Sequence, residues 1–269
     1  MSDADLDVAP AQAYEDHLVG PLFGPWAARA VALAGPAPGE VVLDLACGSG
    51  IGARLTAPLV SPGGRLIGID SDAAMVAVAA HAAATAGLPD DVEQAWHVAG
   101  AEALPLDDAS VDLCLFLQGP QFVSDPAQAL DEVRRVLKPA GRLAASVWSS
   151  IEDNQGHHAL ARALETRGLK PALKPFSLGQ PERARALIEG AGLTIEVFRT
   201  EDYKAGYPSV RAFVDGVAAG APATRHALAQ LSEEERAGFL ADVEALLSPY
   251  AEAGTLQLPT RAHLILAGR

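Results

Sequence analysis

The chain has 269 residues, 34 acidic against 20 basic, for a net charge of −14, and 49% of its residues are hydrophobic. That composition is long and apolar enough for one large α/β domain and too apolar for a disordered chain. The acidic balance argues against nonspecific binding to nucleic acid, and two cysteines supply neither a disulfide framework nor a zinc-ligand cluster. The acidic opening Met1 to Asp5 lacks the basic flank of a signal peptide, and no apolar run approaches 18 residues. The expectation is a cytoplasmic protein without membrane insertion, nucleic-acid partner or metal.

From Ala9 to Leu33, apolar residues fall at near-helical spacing: Tyr14, Leu18, Leu22, Trp26, Ala30 and Leu33. Pro21, Gly24 and Pro25 predict two short helices with a bend. After Gly35 to Gly39 the register changes. Val41 to Leu45 is a short apolar run of the kind buried on both faces of a parallel sheet. Gly48-Ser49-Gly50-Ile51-Gly52 then turns into a helix, and Arg65 to Ile69 form a second strand ending at Asp70. Asp72 is placed to cap the next helix, which runs to about Ala86.

The alternation continues with strands at 92–98, 111–116 and 142–147. Between the last two, Asp125-Pro126 predicts an N-cap followed by proline at the first helical position. Leu130, Val133, Val136 and Leu137 share one face of that helix, which is expected to end at Lys138-Pro139-Ala140-Gly141. Strands separated by helices in this order predict a doubly wound, mostly parallel α/β sheet in a single domain over 1–269. Its expected parts are a helical cap over 1–39, a ligand-binding half over 40–150, and the rest of the sheet over 151–202 and 259–269. A mostly helical insertion is expected over 203–258, with a capping box at Ser232 to Glu235, and with the N-terminal helices it is expected to form a lid over a largely apolar pocket.

The glycine turn after the first strand lets backbone N–H groups approach a ligand closely. An acid, Asp44, precedes the turn, and a second, Asp70, ends the next strand, the spacing expected of a ribose-hydroxyl acceptor. With the blocks Val41–Gly50, Gly64–Met75, Ala99–Leu106 and Asp125–Leu143, the last containing Glu132-Val133-Arg134-Arg135-Val136-Leu137-Lys138-Pro139, the chain resembles the class I S-adenosylmethionine-dependent methyltransferases. Within them it is most similar to the small-molecule, type 11 branch that includes the ubiquinone- and menaquinone-biosynthesis C-methyltransferases. The likeness covers roughly residues 10–150.

The resemblance implies a seven-stranded Rossmann-like sheet, S-adenosyl-L-methionine as cofactor and S-adenosyl-L-homocysteine as product. It implies that Ala46, Cys47 and Gly48 pass under the methionine part and that Asp44 orients its amino group. Asp70 accepts from the ribose, while Ser71 and Met75 border the adenine. Ala101 and Glu102 edge the adenine, Leu117 and Gln118 close the site, and Tyr14 and Trp26 cover it. Two departures stand out: Ala46 replaces the first motif glycine, and Gly100 sits where relatives commonly carry an aspartate for the adenine amino group.

The chain lacks the Asp/Asn-Pro-Pro-aromatic turn of nucleic-acid amino-methyltransferases, having Leu117-Gln118-Gly119-Pro120 instead, and the glycine run does not give the GxGxxG spacing of a nicotinamide dehydrogenase. The expected reaction is methyl transfer to O, N or C of a small-molecule acceptor. The alternative is a protein of this fold that binds the cofactor or another small ligand without methyl transfer. No catalytic residue is evident from a motif. His157 and His158 are the candidates, with Tyr203, Tyr207 and Gln121 behind them, since an imidazole can take or position a hydroxyl proton.

Overall fold

The computed structural model describes residues 6–269; the acidic opening Met1 to Asp5 lies outside the described residues. Seven strands form one sheet: β1 (Val41–Leu45), β2 (Arg65–Asp70), β3 (Glu93–Val98), β4 (Val111–Leu117), β5 (Leu137–Trp148), β6 (Thr194–Tyr207) and, after the two-residue β7 (Ala251–Glu252), β8 (Thr255–Gly268). Their spatial order is β3-β2-β1-β4-β5-β8-β6, with β7 paired to β8. The neighbours from β3 to β5 are parallel, and β8 runs antiparallel to both β5 and β6.

Side-chain alternation explains the layering. On one face Leu43, Leu45, Ile67, Ile69 and Phe116 pack against Leu130, Val133 and Val136 of α5 (Pro126–Val136). On the other, Val42, Leu66, Leu113 and Leu115 pack against Ala53, Ala57 and Val60 of α3 (Ile51–Val60), with Val31 and Ala34 of α2 (Gly24–Ala34). Period-two strands thus feed two apolar layers, the arrangement that a parallel sheet requires. The expected caps are present. Asp72 accepts from Ala74 N at the start of α4 (Ala73–Thr85), and Asp125 accepts from Ala127 N and Gln128 N at the start of α5. Ser232 and Glu235 form the capping box of α10 (Glu233–Leu247).

Three expectations are corrected. Instead of two helices with a bend, residues 9–34 form one continuous helical run: α1 (Ala9–Tyr14), a π-helical stretch (Glu15–Phe23) and α2. Pro21 has no N–H to donate, and the widened π register accommodates that loss without a break. The fifth strand opens at Leu137 rather than Arg142, so Lys138 to Gly141 continue the chain as strand. The insertion is narrower than 203–258, because Tyr203 to Tyr207 pair with Leu256 to Thr260 in the β6–β8 hairpin. The inserted helices are α8 (Val210–Gly220), α9 (Pro222–Leu228) and α10.

Cap and insertion share a third core. Leu18, Leu22 and Trp26 of the cap join Trp148, Phe213, Phe239 and Leu258 there, along with Leu160 of α6 (Gln155–Glu165). Trp26 is fully buried, and its Nε1 donates to Thr260 Oγ1 at 3.1 Å. Arg54 of α3 anchors the π-helical stretch through a 2.7 Å ion pair with Glu15. The cap is thereby fixed over the carboxyl ends of β1, β2 and β4.

Candidate active site

β1 has β2 on one side and β4 on the other, so the connections leave it in opposite directions and open a crevice at the strand ends. Ligands of doubly wound sheets bind at such a switch point. Here the crevice is a cavity of about 820 Å³, with a side recess of about 120 Å³.

The floor is the turn after β1. Ala46, Gly48 and Gly50 all have positive φ, at 52°, 52° and 81°. Cys47 N donates to Ile69 O at 3.0 Å, and Gly48 N to Asp70 Oδ2 at 2.9 Å, so the turn is stitched to β2. The second Asp70 oxygen accepts from Asp72 N at 2.9 Å. Asp44 Oδ2 accepts from Ala53 N at 2.7 Å, tying β1 to the first turn of α3. Gly52 is needed there, since a Cβ would stand 2.8 Å from both Asp44 carboxylate oxygens.

Burial raises both acids, Asp44 to about 7. The Tyr14 phenol and the Cys47 thiol are also pushed up, by burial and then by the neighbouring carboxylates. Cys47 is therefore a packing residue rather than a nucleophile. Among the described residues, the guanidinium acting on Asp44 is that of Arg54, already paired with Glu15. A buried and a half-buried acid without a dedicated cation among those residues make a pocket suited to a positively charged ligand.

Of the residues singled out in the sequence, Tyr14, Trp26, Asp44, Ala46, Cys47 and Gly48 line this cavity. So do Asp70, Ser71, Met75, Leu117 and Gln118. Ala101 and Glu102 line the recess, beside Asp70, Ser71 and Gly100. Tyr14 lies close to Gly48, where an added Cβ would meet its hydroxyl at 3.9 Å, and its ring stacks on Phe23 at 4.9 Å. One Glu102 oxygen is committed elsewhere: Oε1 accepts from Ser124 N and Asp125 N at 2.8 and 3.1 Å. Those bonds hold its pKa below the usual carboxylate range. The other oxygen, Oε2, lies 3.0 Å from where a Cβ on Gly100 would stand, so the recess keeps a carboxylate oxygen beside the position where the aspartate is missing.

The histidines part company. His157 lines the cavity and His158 does not. Asn154 sets this geometry by bonding Ser150 O, Arg261 O and Arg261 N, which pins the start of α6 to β8. The His157 ring then meets Phe176 and Phe213 edge-on at 5.6 and 6.1 Å, and burial pushes its pKa down to about 4. Tyr203, Tyr207 and Gln121 lie outside the cavity lining. Gln121 instead donates to Gln118 Oε1 at 2.9 Å, leaving Gln118 Nε2 buried without a partner.

Sequence reasoning expected a largely apolar pocket under the cap and the insertion but did not name the residues of its far wall. Leu18, Leu22, Phe23, Trp148 and Val217 line it, with Phe122 and the segment Pro171 to Pro175 at the mouth. These residues belong to separate stretches without a shared motif. The one local signal was an apolar loop, Ala172-Leu173, set between prolines.

Residues 43–145 match the family described as Methyltransferase domain. The chain is 38% identical over 154 residues to a 2-phytyl-1,4-naphtoquinone methyltransferase of Synechocystis, covering 56% of this chain and 61% of that one. It is 35% identical over 126 residues to the ubiquinone/menaquinone biosynthesis C-methyltransferase UbiE of Hydrogenovibrio crunogenus, covering 47% and 49%. The chain thus spans about half to three fifths of the length of these curated relatives. A crystal structure of a SAM-dependent methyltransferase from Aquifex aeolicus shares the fold, with a TM-score of 0.54 and 23% identity over 70% of this chain and 90% of that one.

Proposed function

We propose that the chain, whose residues 43–145 match the methyltransferase-domain family, is a class I S-adenosylmethionine-dependent methyltransferase that transfers a methyl group to O, N or C of a small-molecule acceptor held in the 820 Å³ cavity. The observation that carries the reading is a pair of acids, buried Asp44 and half-buried Asp70, flanking a left-handed turn, with Asp70 holding Gly48 N of the turn and Asp44 holding Ala53 N of the helix that follows. Such a pair fits a ligand carrying an ammonium and hydroxyl groups. When bound, S-adenosylmethionine supplies an electrophilic sulfonium methyl group and leaves as S-adenosylhomocysteine.

The chain's own part is positioning. Asp44 has one carboxylate oxygen outside its bond to Ala53 N and is the residue to receive the ammonium. Asp70 stands at the end of β2, where it receives ribose hydroxyls, and Ser71, Met75 and the recess residues Ala101 and Glu102 border the base. Tyr14 and Trp26 close the cavity from the cap and exclude water. A methyl sulfonium needs orientation more than acid–base help, so holding two reactants in line supplies most of the acceleration. His157, neutral at pH 7, serves as a hydrogen-bond acceptor that orients an acceptor hydroxyl.

Calorimetric titration tests this reading. Micromolar binding of S-adenosylmethionine and S-adenosylhomocysteine, on the order of −8 kcal/mol, is expected, weakened at least tenfold by Asp70→Ala. Absence of binding by either compound overturns the assignment. A second reading, ligand binding without transfer, draws on Gly100, which stands in the recess where the resemblance implies an aspartate for the adenine amino group. Incorporation of labelled methyl groups into any small acceptor dismisses it.

A further inference from the structure

We infer that the acceptor is an uncharged, predominantly apolar molecule, and that the cavity selects against charged congeners of the same shape. The inference rests on the methyl-transfer reading for which part of the cavity is left to the acceptor, but its observations are independent of the cofactor motif. The acids of the cavity, Asp44, Asp70 and Asp72, are all supplied by β1, β2 and the turn that follows β2. The opposite wall is built from Leu18, Leu22, Phe23, Trp148, Val217 and Ala221.

Among the described residues, two ionisable side chains line that side. His157 is held neutral in a setting of aromatic edges. Lys174 sits exposed at the mouth, where its Nζ donates to Phe122 O at 2.8 Å. A protonated amine placed against this wall finds no carboxylate, and a carboxylate or phosphate finds no buried cation while facing the Asp44 and Asp70 end. An ion without a partner in such surroundings loses its hydration with little return.

The mouth agrees with the wall. Phe122 and Leu173 are 49% and 50% exposed, and the Lys174 bond brings their two segments together. Large apolar side chains left in water at an entrance make a lip over which an apolar molecule passes without losing favourable hydration. Inside, the polar side chains offered are neutral: the His157 imidazole, the Tyr14 and Ser146 hydroxyls and the Gln118 amide, the last fixed by Gln121 with its Nε2 unpartnered. A few neutral groups among aliphatic and aromatic walls suit a neutral polar substituent on an apolar body.

The test uses the full chain saturated with S-adenosylhomocysteine and four probes that differ in charge but share a biphenyl body: 4-phenylphenol, 4-phenylbenzoate, 4-phenylbenzylamine and 4-phenylphenyl phosphate. Binding is read by calorimetry. The phenol is expected to bind at least tenfold more tightly than each charged probe, and Leu173→Asp, a change at an exposed position, is expected to weaken the phenol several-fold. A charged probe that binds as well as the phenol overturns the inference, as does a phenol that fails to bind at millimolar concentration. The preliminary saturation separates the two levels. Failure to bind S-adenosylhomocysteine sinks the methyl-transfer reading, whereas normal binding followed by equal affinities sinks only the acceptor class.

Discussion

Folding changes the chemistry of Asp44 sharply. Burial lifts its pKa to about 7, from near 4 in an unfolded chain, and Asp70 shifts in the same direction. An acid with a raised folded pKa keeps a proton that the unfolded chain has lost, so between those values the native state binds more protons and stability falls as pH rises. Without cofactor, the thermal midpoint is therefore expected to drop between pH 5 and pH 8, by an amount reflecting on the order of 3 kcal/mol for Asp44. Asp44→Asn should flatten that slope, and an unchanged slope in the variant would contradict the assignment. In the proposed role of Asp44 the ammonium of S-adenosylmethionine needs the ionised acid, so affinity for that compound should rise from pH 6 to pH 8. His157 behaves oppositely, being held neutral far below pH 7. A proton acceptor works best with a pKa near the working pH, so the role proposed for His157 is to orient an acceptor hydroxyl rather than to deprotonate it. His157→Gln is expected to lower kcat about tenfold with no inflection near pH 6.5 in the wild-type profile; an imidazole inflection lost in the variant would make it a base. The Asp44 and Asp70 placements were legible because strand ends and glycine turns are local. The choice of His157 over His158 was not, since it depends on Asn154 bonding to Arg261, 107 positions away.

At the scale of elements, capping and periodicity did most of the predictive work. Asp72, Asp125 and Ser232 each sit one residue before a helix and accept from its first turn, as their residue types demand. Ser232→Ala removes one half of a reciprocal box in α10, remote from the cofactor turn. It should cost about 1 kcal/mol, lowering the midpoint by roughly 2–4 °C, with affinity for S-adenosylhomocysteine unchanged. A large loss of affinity would mean that α10 governs the cavity more directly than its position suggests. The errors at this scale have a common cause. Pro21 and the run Lys138 to Gly141 were read as breakers, yet the first is absorbed in a π register and the second continues β5. Local breaker signals yield when packing supplies an alternative: here Leu18, Leu22 and Trp26 keep the cap helix on the third core, and Leu137 pairs with Val111.

For the whole molecule, cofactor and fold should be linked by mass action. Saturation at a hundredfold excess over Kd stabilises the native state by about 2.7 kcal/mol. S-adenosylhomocysteine at that level is expected to raise the thermal midpoint by roughly 5–10 °C. Asp70→Ala should abolish most of the rise at the same concentration, and an equal rise in both would place the ligand elsewhere. The cavity that produces this linkage is assembled from distant parts. Trp26 and Thr260, bonded across 234 positions, lock the cap to β8, while α8 and the segment Pro171 to Pro175 complete the walls. By itself the sequence determined the parallel sheet, the glycine turn and the acids at its rim, because strand alternation, left-handed turns and helix caps depend on residues within a few positions of one another. Only the tertiary structure decided the acceptor wall, the commitment of Glu102 to the loop after β4 and the exclusion of His158. Those depend on which remote surfaces meet, and apolar packing is non-directional, so no spacing in the chain encodes it.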